Sequence, residues 1–501
     1  MATLPVPLHA WSEHQVALGL PPPPGTRTPL PVANSTKAFW FTDPNAYPAP
    51  DEGSEGPLTS DADICIIGSG VTGVSAAYHL AHAFSQDENL VAELKRPVKA
   101  IILEARDFCS GATGRNGGHL TPDKWSDFVR LENERGLDEA LRTLAIERHT
   151  ADELIRIMGQ SGKADYVDLT HGGRLILLFS DEELAKVKAN YEASKAAGTN
   201  MTGVSWLSKD DVWKQYGAPY PAVFIPGNNL WPLKAVGVLY QLAASASSNF
   251  FVDLHTHTAV TAITPISLSN ASSHGPFPRR HNLTTPRGQI GCSYVLHATN
   301  AYVSHLLPHL TGPSGVVPTR GQVMAVRAGV PADELSAAGG IGNEGLEYWF
   351  PRPVKNPAED APLVIVGGGR EVTQPGFEFY ETDDSVVNPA VGKALRAFLP
   401  AAFPEKYEED RAPELEWTGV MGYTRTGDPF VGRVVDSSRG DTAELDGQYL
   451  SVGYNGHGMP RAFACAEVVA GMIVSDIRKQ KWEPPNWFPK SYLTDSPKPV
   501  S

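Results

Sequence analysis

The chain's 501 residues are 42% hydrophobic and 20% charged, a balance that suits an ordinary globular protein of two or more domain-sized units. Forty-two Lys and Arg against 56 Asp and Glu leave a formal charge of −14, which excludes the global basic footprint of a nucleic-acid or anionic-membrane binder. The opening MATLPVPLHAW has no basic segment ahead of an apolar core, and no apolar run approaches the ~18–20 residues of a membrane span, so a cytoplasmic protein without membrane contact is expected.

Residues 1–60 are rich in proline ("PPPPGTRTPLP", "AYPAPDEGSEGP"), a composition expected to form a helix-free arm over the surface, anchored at the aromatic "KAFWFTD". From Asp63, "DICIIG" reads as a buried strand, "VTGVSAAYHLAHAF" as a helix and "VKAIILE" as a second buried strand. Strand, helix, strand in one unit argues for a parallel sheet. "DEALRTLAIERHTADELIRIMGQSG" is expected to be helical to near Gly162, and "GGRLILLFS" to be a strand. "SDEELAKVKANYEASKAAG" opens with a capping box, Ser180 and Glu183, and closes at Gly198. Residues 231–310 repeat the α/β pattern: helix "LKAVGVLYQLAASAS", strand "FVDLHTHTAVTAI", exposed hairpin loop "SNASSHGPFPRRHNLTTPRG", then "YVLHATNAYV". Strands "GQVMAV", "LEYWFP" and "PLVIVGG" follow, with one helix near "NPAVGKALRAFLP". The chain then passes through "GVMGYTRTGDPFVG", strand "QYLSVGY" and a glycine-rich turn to the helix "PRAFACAEVVAGMIVSDIRK". Cys65, Cys109, Cys292 and Cys465 are scattered without metal-ligand spacing; four free thiols and no metal site are expected.

Two stretches carry chemistry. "GSGVTG" places Gly68, Gly70 and Gly73 at G-x-G-x-x-G spacing between a strand and a helix. The first glycine permits a tight turn, the second lets a pyrophosphate approach, and the third allows close helix–strand packing, with the phosphates at the positive end of the helix. Glu104 ends the second strand, where it can accept from ribose hydroxyls; the polar insert "SQDENLVAELKRP" explains its extra distance from the glycines. "CSGATGRNGGHLTP" then concentrates Gly111, Gly114, Gly117 and Gly118 around Arg115 and Asn116. That much lost backbone entropy is expected where a long flat group lies along the chain, with Arg115 and Asn116 as donors to it.

"DICIIGSGVTGVSAAYHLA", "LEARDFCSGATGRNGGHL" and "SVGYNGHGMPRAFACAEVVAGMI" together resemble the FAD-dependent oxidoreductases of the D-amino acid oxidase superfamily, and most the γ-glutamylputrescine oxidase-like branch. "LWPLKAV", "VLHATNAYVSHLLP", "PTRGQV" and "DPFVG" support it in order. The resemblance implies an α/β fold: a Rossmann-type FAD-binding domain (61–125, 226–318, 416–480) interleaved with a substrate domain on a mixed or antiparallel sheet (126–225, 319–415), with the arm before and a tail (481–501) after. It implies FAD contacts at Gly68, Gly70, Val71, Thr72, Gly73, Glu104, Ala105, Arg106, Thr113, Gly114, Arg115, Asn116, Gly117, Gly118, Val260, Asn455, Gly456, His457, Gly458 and Met459. The substrate face is expected at Tyr348, Trp349 and His119, with alternation turning Tyr348 and Phe350 one way and Trp349 the other.

Two departures matter. Amino-acid-oxidising relatives grip the substrate carboxylate with an arginine where this chain has Met421, and a buried carboxylate without a cation is costly, so a simple α-amino acid substrate is disfavoured; Arg425 and Arg352 are the alternative cations. No cysteine lies between Cys292 and Cys465, where sarcosine oxidase-like relatives link their flavin, so FAD is expected to be non-covalent, with His119 as an alternative linker. The implied activity is oxidation of a C–N bond in a small amine or amino-acid-like substrate to the imine by hydride transfer to flavin N5, with O2 as acceptor giving H2O2. The open alternatives are a dehydrogenase or demethylase using another acceptor, and a flavin-binding protein without this activity. No residue pattern sets an oligomeric state.

Overall fold

The computed structural model describes residues 3–23, 27–47, 49–86, 96–266, 277–409, 411–436, 438 and 443–496. The arm holds α1 (Trp11–Leu18), and the strand–helix–strand unit is β1 (Asp61–Ile67), α2 (Val71–Gln86) and β2 (Val98–Leu103). Next come α3 (Phe128–Arg135), α4 (Leu137–Gln160), β3 (Arg174–Leu177), α5 (Asp181–Ala196), β4 (Ser205–Leu207), α6 (Lys209–Tyr216) and β5 (Ala222–Ile225). The chain returns through α7 (Pro232–Ser245), β6 (Phe250–His255), β7 (Ala262–Pro265), β8 (His281–Thr285) and β9 (Gly288–His297). β10 (Val317–Arg327), β11 (Gly339–Gly342), β12 (Glu347–Pro351), β13 (Leu363–Gly368), α8 (Pro389–Ala402) and β14 (Leu415–Tyr423) follow, and β15 (Phe430–Arg433), β16 (Gln448–Val452) and α9 (Gly458–Ile477) finish the framework.

These strands form two eight-stranded sheets. The first runs β15-β16-β9-β1-β2-β6; its central ladders are parallel, and β8 pairs antiparallel with β9. β1 is buried from Ala62 to Ile67, as a central parallel strand covered on both faces requires. α2 packs between α7 and α9, and their apolar faces join Ile64, Ile66 and Phe250 in the main core. α9 is long and apolar enough to cross a membrane, although the sequence shows no such uninterrupted run; most of it is buried in this core.

The second sheet runs β14-β10-β13-β12-β11-β3-β5-β4 and is antiparallel except for β3 with β11. α8 covers one face, with Phe398 and Phe403 against Trp349. The interleaved α/β architecture expected from the resemblance is what the two sheets display.

Several local expectations change. β14, assigned to the cofactor domain with residues 416–480, pairs with β10 in the second sheet. α4, assigned to the substrate domain, packs on α9 and puts Ile146, Leu154, Ile157 and Met158 into the main core. The strand expected over residues 251–263 is broken by His257 at φ 50°: beyond His255 the chain instead bonds back, Thr258 N–H to Glu104 O at 2.7 Å. The expected hairpin loop contains strand β8, and its residues 267–276 lie outside the described ones. At α5, Ser180 accepts from Glu183 N–H (3.1 Å), but the Glu183 carboxylate takes the N–H groups of Phe179 and Glu344, so only half the capping box forms. Cys65 and Cys292, on the adjacent strands β1 and β9, are joined as a disulfide; only Cys109 and Cys465 are free, both buried.

The arm is not helix-free. Prolines flank α1 without entering it, and His14, on α1, is fully buried. Trp40 is also 0% exposed, and its ring meets Trp231 and Phe39. The tail to residue 496 is likewise part of the fold: Phe488 and Tyr492 are buried, and Thr494 N–H bonds Val431 O at 3.1 Å.

Candidate active site

The turn after β1 is shaped first by the protein's own backbone. Gly68 sits at φ 111°, and a Cβ there would lie 2.6 Å from Ala298 O; a Cβ on Gly73 would run into Gly68 O. Neither position tolerates a side chain. Near the missing Cβ of Gly70 lies the Thr113 side chain, its Oγ1 at 3.1 Å, and that oxygen accepts from Val71 N–H at 3.0 Å. Thr72 Oγ1 donates to Tyr454 Oη at 3.2 Å. Both carboxylate oxygens of Glu104 hold this turn: Oε2 accepts from Ser69 N–H (3.0 Å) and Oγ (2.8 Å), Oε1 from Arg106 N–H (3.0 Å). Gly68, Gly70, Val71, Thr72 and Glu104 all line one cavity of ≈ 500 Å³. Ala105, Arg106 and Val260 do not: the Arg106 guanidinium turns to Asp384 (2.9 and 3.0 Å) and Ser110 O, and Val260 is buried against β1 and β9 residues.

The glycine-rich loop answers a different need from the one its composition suggests. A Cβ on Gly114 would meet Phe41 at 2.8 Å, one on Gly118 would meet Leu230 O at 2.6 Å and Trp40 at 3.1 Å, and one on Gly117 would enter the Tyr348 ring. The arm's aromatics and Tyr348 therefore occupy the space those side chains would fill. Arg115 and Asn116 are not free donors either. Arg115 bonds Ser110 O, Thr36 O and Thr418 O at 2.8 Å each, and burial lowers its pKa to about 10 despite Asp384. Asn116 bridges its own loop, from Nδ2 to Thr113 O (3.0 Å) and from Gly118 N–H to Oδ1 (2.8 Å), while its carbonyl accepts from Trp40 Nε1 at 2.7 Å. Gly111, Thr113, Arg115, Asn116 and Gly117 still line the cavity; Gly114 and Gly118 do not.

Opposite this loop, Asn455 (φ 54°) and Gly456 (φ 81°) turn the chain into α9. Asn455 Oδ1 takes Thr424 N–H at 2.7 Å, which ties the turn to β14. Asn455, Gly456, His457, Gly458 and Met459 all line the cavity, with the open N–H groups and positive dipole end of α9 among them. His457 lies beside Glu147 (3.3 Å), which also accepts from Arg461 Nε at 2.7 Å. Burial alone would raise Glu147; Arg461 and His457 outweigh it and hold the carboxylate at about 2.

The far wall comes from the second sheet. Tyr348 lines the cavity, whereas Trp349 faces α8 on the opposite side, so of the expected pair only Tyr348 reaches the site. Burial, with Tyr423 beside it, pushes the Tyr348 hydroxyl upward, so it stays a neutral donor. His119 meets Tyr348 edge to face at 5.7 Å and lines the cavity with neither ring nitrogen hydrogen-bonded among the described residues. Burial first, then Arg174, lowers it to about 3, an uncharged imidazole at neutral pH. Met421 lines the cavity; Arg425 is exposed outside it. Arg352 pairs with Asp168 amid Phe39, Trp40, Trp231 and Phe350, away from the cavity. Sequence reasoning missed Arg370, Arg174, Trp11 and Gln15, which all line it. For Arg370 the only sequence signal was its place after the strand in "PLVIVGGGR".

A dinucleotide turn and a helix N-terminus from one sheet, closed over by an aromatic wall from another, define a two-domain oxidoreductase built around an extended cofactor. The family described as DAO, FAD dependent oxidoreductase, matches residues 63–472, and the chain belongs to it. Gamma-glutamylputrescine oxidoreductase of Escherichia coli (strain K12) is 25% identical over 276 residues, 54% of this chain and 56% of that protein; the likeness thus spans about half of that relative's length. Among solved structures, glycine oxidase from Geobacillus kaustophilus matches with TM-score 0.60 at 19% identity, covering 85% of this chain and 96% of that one. L-Amino acid deaminase from Proteus myxofaciens, in complex with anthranilate, matches with TM-score 0.63 at 14% identity over 93% and 97%. These structures share the fold.

The cavity fits the family's cofactor. Gly70 offers bare backbone at the mouth of α2, and the buried hydroxyls of Thr299 and Tyr302 line the same cavity without a partner among the described residues.

Proposed function

We propose that this protein oxidises a C–N bond of a small amine or amino-acid-like substrate to the imine, with FAD held non-covalently and O2 as the electron acceptor, releasing H2O2. The FAD contacts we assign are the cavity-lining members of the set named above: Gly68, Gly70, Val71, Thr72, Glu104, Thr113, Arg115, Asn116, Gly117 and Asn455–Met459. FAD, when bound, supplies the acceptor for a hydride from carbon.

One observation carries the reading: a single cavity runs from Gly70 and Glu104 to Tyr348 and Tyr423, so both domains bound the same space. The likeness to an enzyme named for γ-glutamylputrescine supports the C–N chemistry. The chain's own residues bind and orient. Tyr348 and Leu346 wall the cavity against water, and the uncharged His119 keeps one N–H donor and offers its other ring nitrogen as an acceptor. The positive end of α9 favours negative charge at the place it faces.

Non-covalent attachment is supported by the lining, which contains no cysteine among the described residues. Acid precipitation of the purified protein should leave the flavin in the supernatant; a yellow pellet points to a histidine link. The activity is tested by anaerobic titration with polyamines, N-methyl amines, cyclic imino acids and amino acids. Bleaching of the flavin by at least one class is expected, then peroxide release in air. No bleaching by any of them refutes the activity; bleaching without peroxide refutes O2 as acceptor.

A further inference from the structure

The span shared with the family begins at residue 63, so α1 lies outside it; yet two side chains of α1, Trp11 and Gln15, line the cavity. One turn apart, they share a face of the helix. The neighbouring face is driven into the second sheet. His14 is ringed by Phe377, Phe379 and Tyr423, with ring centroids 4.9–5.4 Å away. Leu18 packs with Val317 and Tyr423, and Ala10 and Ala17 with Leu346 and Phe377. Asn343 Nδ2 donates to Pro7 O and Arg370 Nη2 to His14 Nε2, both at 3.0 Å. A helix of eight residues without a side-chain cap does not hold itself together in water. Docking on the sheet holds α1, and docking therefore fixes the place of Trp11.

The Trp11 indole stacks on the His14 imidazole, 4.6 Å between centroids and 7° from parallel. One face of the indole is thus covered, and the rest of the ring borders the cavity, which Leu346, Tyr348, Met421 and Tyr423 also line. The carboxylates of the same cavity wall are engaged: Glu344 pairs with Lys186 at 2.7 Å, and Glu183 accepts from the N–H groups of Phe179 and Glu344. Arg370 is buried, lines the cavity and meets no carboxylate within ion-pair distance among the described residues. Burial, then Arg370, lowers His14 to about 2, so it adds no charge. The charge beside Trp11 is therefore positive. A second ammonium on a substrate would be repelled there, whereas an apolar or aromatic group gains the indole and its aliphatic neighbours.

We infer that Trp11 of the arm is the specificity-determining wall of the substrate end: it receives the tail of the amine beyond the reacting carbon, and the tail it fits is apolar or aromatic rather than a second ammonium. The substrate class is thus a monoamine with a hydrophobic tail. Assigning the tail to a substrate rests on the proposed activity; the wall that the arm adds to the cavity does not.

The test titrates FAD-loaded protein anaerobically with three amines on the same four-carbon chain: 4-phenylbutylamine, butylamine and 1,4-diaminobutane. Affinity is read calorimetrically and reduction from the flavin absorbance. The wild type should bind 4-phenylbutylamine about 30-fold more tightly than butylamine, and the diamine no more tightly than butylamine. Trp11→Ala should cut the phenyl preference to about threefold and Trp11→Phe should keep about tenfold, both at wild-type flavin content. Val16→Ala, on the 70% exposed outer side of α1, should leave all three affinities unchanged. A wild type indifferent to the phenyl group, a preference that survives Trp11→Ala, or a loss as large in Val16→Ala overturns the inference. So does a diamine that binds more tightly than 4-phenylbutylamine, which would set an ammonium on the indole instead. Bleaching by amines without regard to their tails sinks the inference and leaves the proposed activity standing; a Trp11-dependent tail preference without bleaching by any amine does the reverse.

Discussion

At one end of the cavity, Ser69, Val71, Glu104 and Thr113 hold one another through bonds of 2.8–3.0 Å drawn from a short stretch of chain. At the other end, His14, Tyr348, Arg370 and Tyr423 come from α1, β12, the end of β13 and β14. The first end is a local structure whose polar groups largely satisfy each other. The second is assembled by tertiary packing and leaves a cation unspent. A cofactor common to a family can be held by a motif, whereas a substrate site is tuned by whatever residues the fold brings near it.

The arm links the two ends, and removing its anchor gives the largest expected effect. Trp40→Ala deletes a fully buried ring and the bond from Nε1 to Asn116 O; a loss of about 4 kcal/mol in denaturant unfolding is expected, together with reduced flavin content. Unchanged stability would mean that the arm merely lies over the glycine loop. Gly73→Ala should cost about 3 kcal/mol and lower the flavin-to-protein ratio, because its Cβ has no room beside Gly68 O. Gly111→Ala, with nothing within 4 Å of the added carbon, should change the melting temperature little and serves as the control.

Acid should weaken the fold through its buried histidines. His79 on α2 and His297 on β9 are held at about 4, His119 at about 3 and His14 at about 2, in each case chiefly by burial. Their folded values lie below the unfolded 6.5, so the unfolded chain binds more protons once the pH drops below 6.5. The stability they lend is present above that pH and is lost as pH falls toward the folded values; at pH 5 each histidine accounts for about 2 kcal/mol. Melting temperatures measured from pH 7 to pH 5 should fall steadily, and a flat profile would show that these imidazoles are not desolvated. The smallest effect separates the two ends cleanly: Tyr348→Phe keeps the ring beside Gly117 and removes only the hydroxyl, so unfolding free energy should change by no more than about 1 kcal/mol with flavin content unchanged.

The amino-acid sequence by itself determined the β1–α2–β2 unit, the turn at Gly68–Gly73, Glu104 at the strand end, and the cofactor class. Hydrophobic period and glycine spacing act over a few residues, and there the local rules and the fold agree. It also put Tyr348 and Trp349 on opposite faces, since strand alternation is local. Only the tertiary structure decided that Gly114 and Gly118 make room for Phe41 and Trp40, that Arg106 and Arg115 are consumed by Asp384 and backbone carbonyls, and that β14 joins the second sheet. It alone set the buried His14 against Arg370, groups 356 positions apart. Which side chain fills a space, and which charge is left without a partner, depends on distant segments meeting, and no local pattern encodes that.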